Sequence, residues 1–281
     1  MAQEKVYSMI TDRIISEMEK GIIPWKKPWN THGLPKNLVS KKVYRGINFF
    51  LLSFLEDEYF LTFRQAQQLG GSIKKGAKGI PVIFWKWVEV EDPVSGDKNK
   101  IPFLRYYTVF GVSDTDGIAF PLSEKLTFNP IEDAEHIVSG MQDSPEIVHG
   151  GNRAFYSKKN DRIHLPAASE FVSSQEYYST KFHELVHSTG SEQRLNRPEL
   201  TAYCSFKSYQ YSIEELTAEM GAAFLCAQAG IEMATITNSA AYIQGWLDVV
   251  KNDKRLLIQA AGKAQIAADY ILYGRKKTEG E

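Results

Sequence analysis

Cysteine is scarce in this sequence. Of 281 residues only two are cysteine, Cys204 and Cys226, and they lie outside C-x-x-C spacing. That excludes a disulfide framework and a cysteine-based zinc site, and leaves both thiols as reduced, packed side chains. Long apolar runs are missing too: none approaches the length needed to span a membrane, and Met1 to Lys5 opens a polar amphipathic segment rather than a signal core. A cytoplasmic location with no membrane partner is expected. Internal repeats and low-complexity tracts are also absent, which sets aside solenoids and disordered tails. At 43% hydrophobic content the chain can bury a sizeable core, with about two domains expected for its length.

Net charge is nearly absent, at −1, but it is unevenly spread. Residues 1–122 carry 17 Lys+Arg against 13 Asp+Glu, and residues 123–281 carry 16 against 21. Within residues 20–86 the ratio is 12 basic to 3 acidic, the three acids being the cluster Glu56-Asp57-Glu58. A basic domain, 1–122, is therefore expected before an acidic one, 123–281, and the basic one fits a polyanionic partner.

The most informative stretch is Lys181-Phe182-His183-Glu184-Leu185-Val186-His187-Ser188-Thr189-Gly190, which contains H-E-x-x-H. On a helix His183 and His187 lie one turn apart on one face and can converge on one metal ion, with Glu184 beside them as general base for an attacking water. The helix has a start in Ser173-Ser174-Gln175-Glu176, a capping-box pattern, and a stop in Gly190. A catalytic zinc site usually has three protein ligands, so a third is needed. On a second expected helix, Tyr211 to Phe224, Glu215 and Glu219 lie one turn apart. This pairing resembles the glutamate-type zincins, which implies Glu215 as zinc ligand and Glu219 as the outer acid that holds a ligand histidine. Two other readings stay open: Glu214 as the ligand, and Ser212-Ile213-Glu214-Glu215 as a capping box in which Glu215 binds backbone. Tyr203, Tyr209 and Tyr211 lie near enough in sequence to be considered as oxyanion donors.

In chain order, a helix is expected over Glu4 to Lys20. Pro24-Trp25-Lys26-Lys27-Pro28-Trp29 follows, in which Trp25 and Trp29 either anchor the loop to the core or stack on nucleobases while Lys26 and Lys27 meet phosphates. Lys42, Tyr44 and Arg45 lead into an apolar helix, Phe49 to Leu55. Thr62-Phe63-Arg64-Gln65 is a capping box opening a short helix, and Lys74-Lys75-Gly76-Ala77-Lys78-Gly79 interleaves glycine with lysine in a way suited to phosphate. Two β-rich runs, Ile80 to Glu91 and Lys100 to Val112, form a hairpin, and Ser113 to Thr127 reads as a linker. A strand pair, Asn152 to Tyr156 and Arg162 to Leu165, precedes the H-E-x-x-H helix, with Arg162 to Pro166 expected as the edge that borders the cleft and His164 a weaker candidate for substrate contact. Two alanine-rich helices, Asn238 to Val250 and Asp253 to Tyr273, close the chain.

Pro24-Trp25-Lys26-Lys27-Pro28-Trp29, Tyr44-Arg45-Gly46-Ile47-Asn48, Thr62-Phe63-Arg64-Gln65-Ala66 and Lys75-Gly76-Ala77-Lys78-Gly79 resemble the amino-terminal domain of the ArdC antirestriction proteins of plasmids and other mobile elements. Asp161-Arg162-Ile163, His183 to Gly190 with Arg194-Leu195, and Glu214-Glu215-Leu216-Thr217-Ala218-Glu219 are similar to their zincin-like domain. The resemblance implies an α+β protein of two domains, a small basic α+β domain that binds single-stranded DNA and a mainly helical metallopeptidase-like domain with a small sheet. It further implies a role in protecting incoming DNA from host restriction but names no protein substrate, a host restriction component being one candidate. The two imidazoles and one carboxylate themselves call for about one Zn2+ per chain, with Mn2+ or another divalent ion admissible. The rival reading is a non-catalytic coating protein of single strands with a structural metal.

Overall fold

The computed structural model describes residues 2–26, 33–91, 98–121, 130–201, 209–231 and 240–275. The elements are α1 (Ala2–Glu19), β1 (Lys36–Asn37), α2 (Ile47–Leu52), β2 (Tyr59–Thr62), α3 (Phe63–Gln68), β3 (Ser72–Ile73), β4 (Ile80–Glu91), β5 (Lys98–Gly111) and β6 (Thr115–Asp116) in the first half. The second half has α4 (Pro130–Gly140), β7 (Glu146–His149), β8 (Phe155–Ser157), β9 (Arg162–Leu165), α5 (Ser174–Thr189), α6 (Pro198–Thr201), α7 (Tyr209–Gln228), α8 (Ala240–Asn252) and α9 (Leu256–Tyr273). It is an α+β architecture. Among the described residues no helix is long and apolar enough to cross a membrane.

The long hairpin of β4 and β5 pairs in continuous register from Ile80↔Val109 to Glu91↔Lys98. Strands β2 and β1 extend it on the β5 side, giving the order β1-β2-β5-β4. The capping box at α3 forms in full: Thr62 Oγ1 accepts from the Gln65 backbone and the Gln65 side chain accepts from the Thr62 backbone. The expected linker from Ser113 is structured at its start, because β6 pairs antiparallel with β3. That pairing is allowed by Gly71, where a Cβ would meet the Asp116 carbonyl at 2.5 Å and the Ile118 side chain at 2.3 Å.

The second half holds a three-stranded sheet in the order β7-β9-β8. Sequence reading missed β7 and placed β9 at the edge. In the structure β9 is central, parallel to β7 and antiparallel to β8, so β8 and β7 are the edges. A buried Ile163 and Leu165 face the helices, and a strand flanked on both sides has no free backbone for a peptide. His164 stacks on Phe155 across the pair, 4.5 Å between ring centres, which gives it a structural partner.

One apolar core runs through both halves, from Val6 and Ile10 in α1 through Phe50, Phe60 and Phe182 to Ile271 in α9. The first helix lies against the last two, and Thr11 Oγ1 donates to the Lys254 carbonyl at 2.6 Å. The closest helix pairing at the site is α5 on α7. Gly221 faces Val186 there, and a Cβ on it would lie 2.7 Å from Val186 Cγ2. The missing side chain lets the two helices approach closely enough for residues of both to meet.

Candidate metal centre

The H-E-x-x-H stretch occupies the last three turns of α5. Ser173 caps the helix by accepting from the Glu176 backbone N–H at 3.1 Å, while the Glu176 carboxylate bonds the Val172 N–H rather than closing a reciprocal box. At the other end Gly190 is right-handed, φ −77°, so its glycine is not needed for a left-handed cap. It is needed for space, since the Arg197 guanidinium passes 2.8 Å from where its Cβ would stand.

Helix α7 begins at Tyr209, so Ser212 is inside the helix and the capping-box reading of Glu215 does not hold. Glu215 instead faces the histidine pair. His183 Nε2 and His187 Nε2 are 3.1 Å apart. Glu215 Oε2 is 3.8 Å from the first and Glu215 Oε1 3.7 Å from the second. Ligands about 2.1 Å from a tetrahedral ion sit about 3.4 Å from one another, so this triangle has the size such an ion requires. Among the described residues these three form the one His/Cys/Asp/Glu group with ligand atoms all within 4.8 Å.

Electrostatics suit the same use. Burial, and next the charge of His187, push the His183 imidazole down to about 3, which leaves it neutral with a lone pair to give. Burial also pulls on His187, but Glu214, together with Glu215 and Glu184, outweighs it and raises that imidazole. Glu214 Oε1 takes His187 Nδ1 at 2.9 Å, and both its oxygens take Arg197, Nη2 at 2.6 Å and Nε at 2.9 Å. Burial opposes the Glu214 charge, yet Arg197 and His187 hold its carboxyl down at about 2. Glu214 is thus placed as an outer acid bonded to His187, while Glu219, expected to hold a ligand histidine, lies beside His183. The Glu219 carboxylate is taken by Lys26 Nζ at 2.7 Å and the Tyr242 hydroxyl at 2.9 Å, beside His183.

Glu184 is buried, and burial raises its carboxyl above the ordinary range. It accepts a hydrogen bond from the Tyr156 backbone on β8. That edge strand is fixed in turn, because Tyr156 donates to Asp161 Oδ1 at 2.7 Å and Arg194 grips both Asp161 oxygens at 2.8 and 2.9 Å. Tyr211 shares a side-chain hydrogen bond with Glu215, whereas Tyr209 bonds Asp253 at 2.7 Å and points elsewhere. Tyr203 and Cys204 lie outside the described residues. Cys226 is fully buried and its thiol is pushed up to about 12, an inert packed group.

Replacement of His183 or Glu215 by alanine is expected to abolish stoichiometric metal, from about one ion per chain to near none, because two donors do not hold a catalytic ion. Elemental analysis of the purified variants measures this, and retention of metal by Glu215→Ala would remove Glu215 from the ligand set.

The nucleic-acid candidates divide. Trp25 is fully buried, edge-on to Trp246 at 6.2 Å, so it anchors the core and cannot stack on a base. Lys26 is turned into the metal site by Glu219 and is not a phosphate contact. Both corrections have one cause: the turn Pro24–Lys26 packs on α7 rather than facing solvent. Lys27 and Trp29 lie outside the described residues. Tyr44 is half-buried, edge-on to Phe60 and within 3.3 Å of the Asn37 amide. Arg45 is exposed and ion-paired with Asp269 of α9. Lys74 donates to the Ser113 carbonyl at 2.7 Å. Lys42, Arg64, Lys75 and Lys78 are exposed with no acidic partner among the described residues.

Residues 4–110 match the family described as the N-terminal domain of anti-restriction factor ArdC, and residues 132–263 match the family described as zincin-like metallopeptidase. The uncharacterized protein y4eC of Sinorhizobium fredii is 32% identical over 284 residues, covering 95% of this chain and 91% of that protein. A DNA primase TraC of Escherichia coli is 32% identical over 297 residues, 96% of this chain but 20% of the primase, so the chain spans about a fifth of that protein. Among solved structures, the antirestriction ArdC protein from the R388 plasmid in its metal-free form is 36% identical with a TM-score of 0.76, covering 94% of this chain and 96% of that one. Its Mn(II)-bound form is 33% identical with a TM-score of 0.75, covering 97% and 99%.

Proposed function

Because the chain belongs to the family of ArdC antirestriction proteins, we propose that it is a single-stranded DNA-binding metallopeptidase that protects incoming mobile-element DNA from host restriction. In this reading residues 1–122 hold the strand and residues 123–281 cut a protein met there. The observation that carries it is the convergence of His183, His187 and Glu215 on one point, with Glu184 alongside on the same helix.

His183, His187 and Glu215 would hold a divalent ion, zinc in this reading, which would supply a Lewis acid for the scissile carbonyl; a structure of the R388 relative is Mn(II)-bound. Glu184 takes a proton from the attacking water and returns it to the leaving amine, its burial keeping the carboxyl basic enough for both steps. Tyr156 orients that carboxylate through its backbone N–H. Since β8 is an edge, a substrate strand can pair along it and pass in front of Glu184. Glu214 and Arg197 keep His187 aimed, and Tyr211, whose side chain shares a hydrogen bond with Glu215, is the oxyanion donor in this reading.

The test uses the metal-loaded full chain and the soluble proteome of a restricting host, with and without single-stranded DNA, followed by identification of new protein termini. Metal-dependent cleavage, enhanced by the strand, is expected. A proteome left uncut under all conditions would favour a coating protein whose metal is structural.

A further inference from the structure

The first half contains a groove of about 570 Å³ that the metal centre does not use. We propose that it takes an unpaired nucleobase of the bound strand, held by its face against Tyr107; this rests on the reading that the first half binds single-stranded DNA. Its volume falls within the range of about 300–1,000 Å³ typical of small-ligand pockets, which a nucleotide fits.

The lining selects the chemistry. Phe84 and Tyr107 come from neighbouring strands of the long hairpin and stack with ring centres 4.4 Å apart and planes within 4°. Tyr107 is 51% exposed, so it presents the outer end of this stack to solvent, and a base laid on it would extend the stack by one ring. Tyr44 also lines the groove, fixed edge-on by Phe60. The polar groups of the groove are already engaged in holding its walls. Asn48 donates to the Ile83 carbonyl at 2.6 Å and accepts from the Ile83 N–H at 2.8 Å. Gln65 bonds the Thr62 N–H and Asn37. With those amides occupied, a base would be bound by its π-face rather than read by its edge, so the site discriminates unpaired from paired bases and tolerates any sequence.

Charge complements the strand. Lys42 precedes the lining residues Val43, Tyr44 and Arg45, and Arg64 lies between Thr62 and Gln65, both exposed and without an acidic partner among the described residues. Arg105 is the cross-strand neighbour of Phe84 on the same face of the hairpin. A phosphate on either side of the inserted base would meet these cations, and the three acids of residues 20–86 are confined to positions 56–58.

The experiment measures binding of the full-length protein to a labelled oligothymidylate by anisotropy across a salt series, with a blunt duplex in parallel. Tyr107→Ala is expected to weaken single-strand binding about 5- to 100-fold, the loss of one stacking contact, with the slope of affinity against salt unchanged. Tyr107→Phe should keep wild-type affinity, and duplex binding should not respond to either change. The inference is overturned if Tyr107→Ala binds like wild type, if Tyr107→Phe loses as much as the alanine variant, or if the salt slope falls. In those cases wild type still binds the single strand and the broader reading stands. If wild type itself does not bind the oligonucleotide, it is the single-strand reading that fails, and the groove fails with it.

Discussion

Glu184→Gln is expected to lower peptide hydrolysis by about 10²- to 10⁴-fold, the contribution of a positioned general base, while metal content, melting temperature and affinity for single strands stay at wild-type values. The amide is nearly isosteric and its oxygen can still accept the Tyr156 N–H, so the packing of α5 against β8 is preserved. It cannot take a proton. His183, His187 and Glu215 are untouched, which separates chemistry from metal binding. The variant therefore also decides the biological question. If hydrolysis is the means of protection, unmodified DNA entering a restricting cell should be as vulnerable with this variant as with no protein. Full protection by Glu184→Gln would assign the effect to DNA binding alone.

The parts of this site that were legible in the sequence are those that depend on one helix. His183 and His187 are four residues apart, and helix geometry alone brings their rings together, as the 3.1 Å separation records. Glu215 was legible less directly, through its likeness to an acid pair on a second helix. Its neighbour was not: adjacent helical residues point about 100° apart, so which of Glu214 and Glu215 faces the ligand side of a histidine depends on how α7 crosses α5. That crossing is set by Gly221 against Val186, a tertiary contact. Arg197 gave no signal at all, being a loop residue whose role exists only once the loop folds back over Gly190. Strand order is tertiary as well, which is why β9 read as an edge and lies in the centre. Trp25 and Lys26 show the limit of composition: Pro-Trp and Lys-Lys look the same on a solvent loop and on a turn buried against α7.

The interaction that sequence missed has the largest expected effect on stability. Glu214→Gln should destabilise the metal-free fold by about 3–5 kcal/mol, the range for breaking one partner from a buried ion pair, and weaken metal affinity about 10- to 100-fold, the range for losing an outer partner of a ligand histidine. Arg197 is 5% exposed, and besides Glu214 it has the Thr189 hydroxyl and the Val186 carbonyl, which accept its hydrogen bonds but do not neutralise it. An amide in place of the carboxylate leaves that cation buried without a counter-charge and turns a donor toward it. Arg197→Met should be harmful for the reciprocal reason, and the double variant should lose less than the sum of the two, since neither stranded charge remains. The pH dependence has a definite sign. The Glu214 carboxyl is held at about 2 against an ordinary 4.5, so its stabilisation is complete above about 4.5 and disappears as pH falls toward about 2. Urea unfolding in the presence of a chelator should show wild type losing stability across that window and Glu214→Gln changing much less, while competition with a chromophoric chelator reports the metal affinity. Glu215→Ala gives the contrasting pattern, loss of the ion with little loss of apo stability, because Glu215 faces the ligand point and no buried cation depends on it. If Glu214→Gln instead unfolds like wild type and binds metal equally well, His187 is aimed by its helix alone and the Glu214–Arg197 pair has no part in the site.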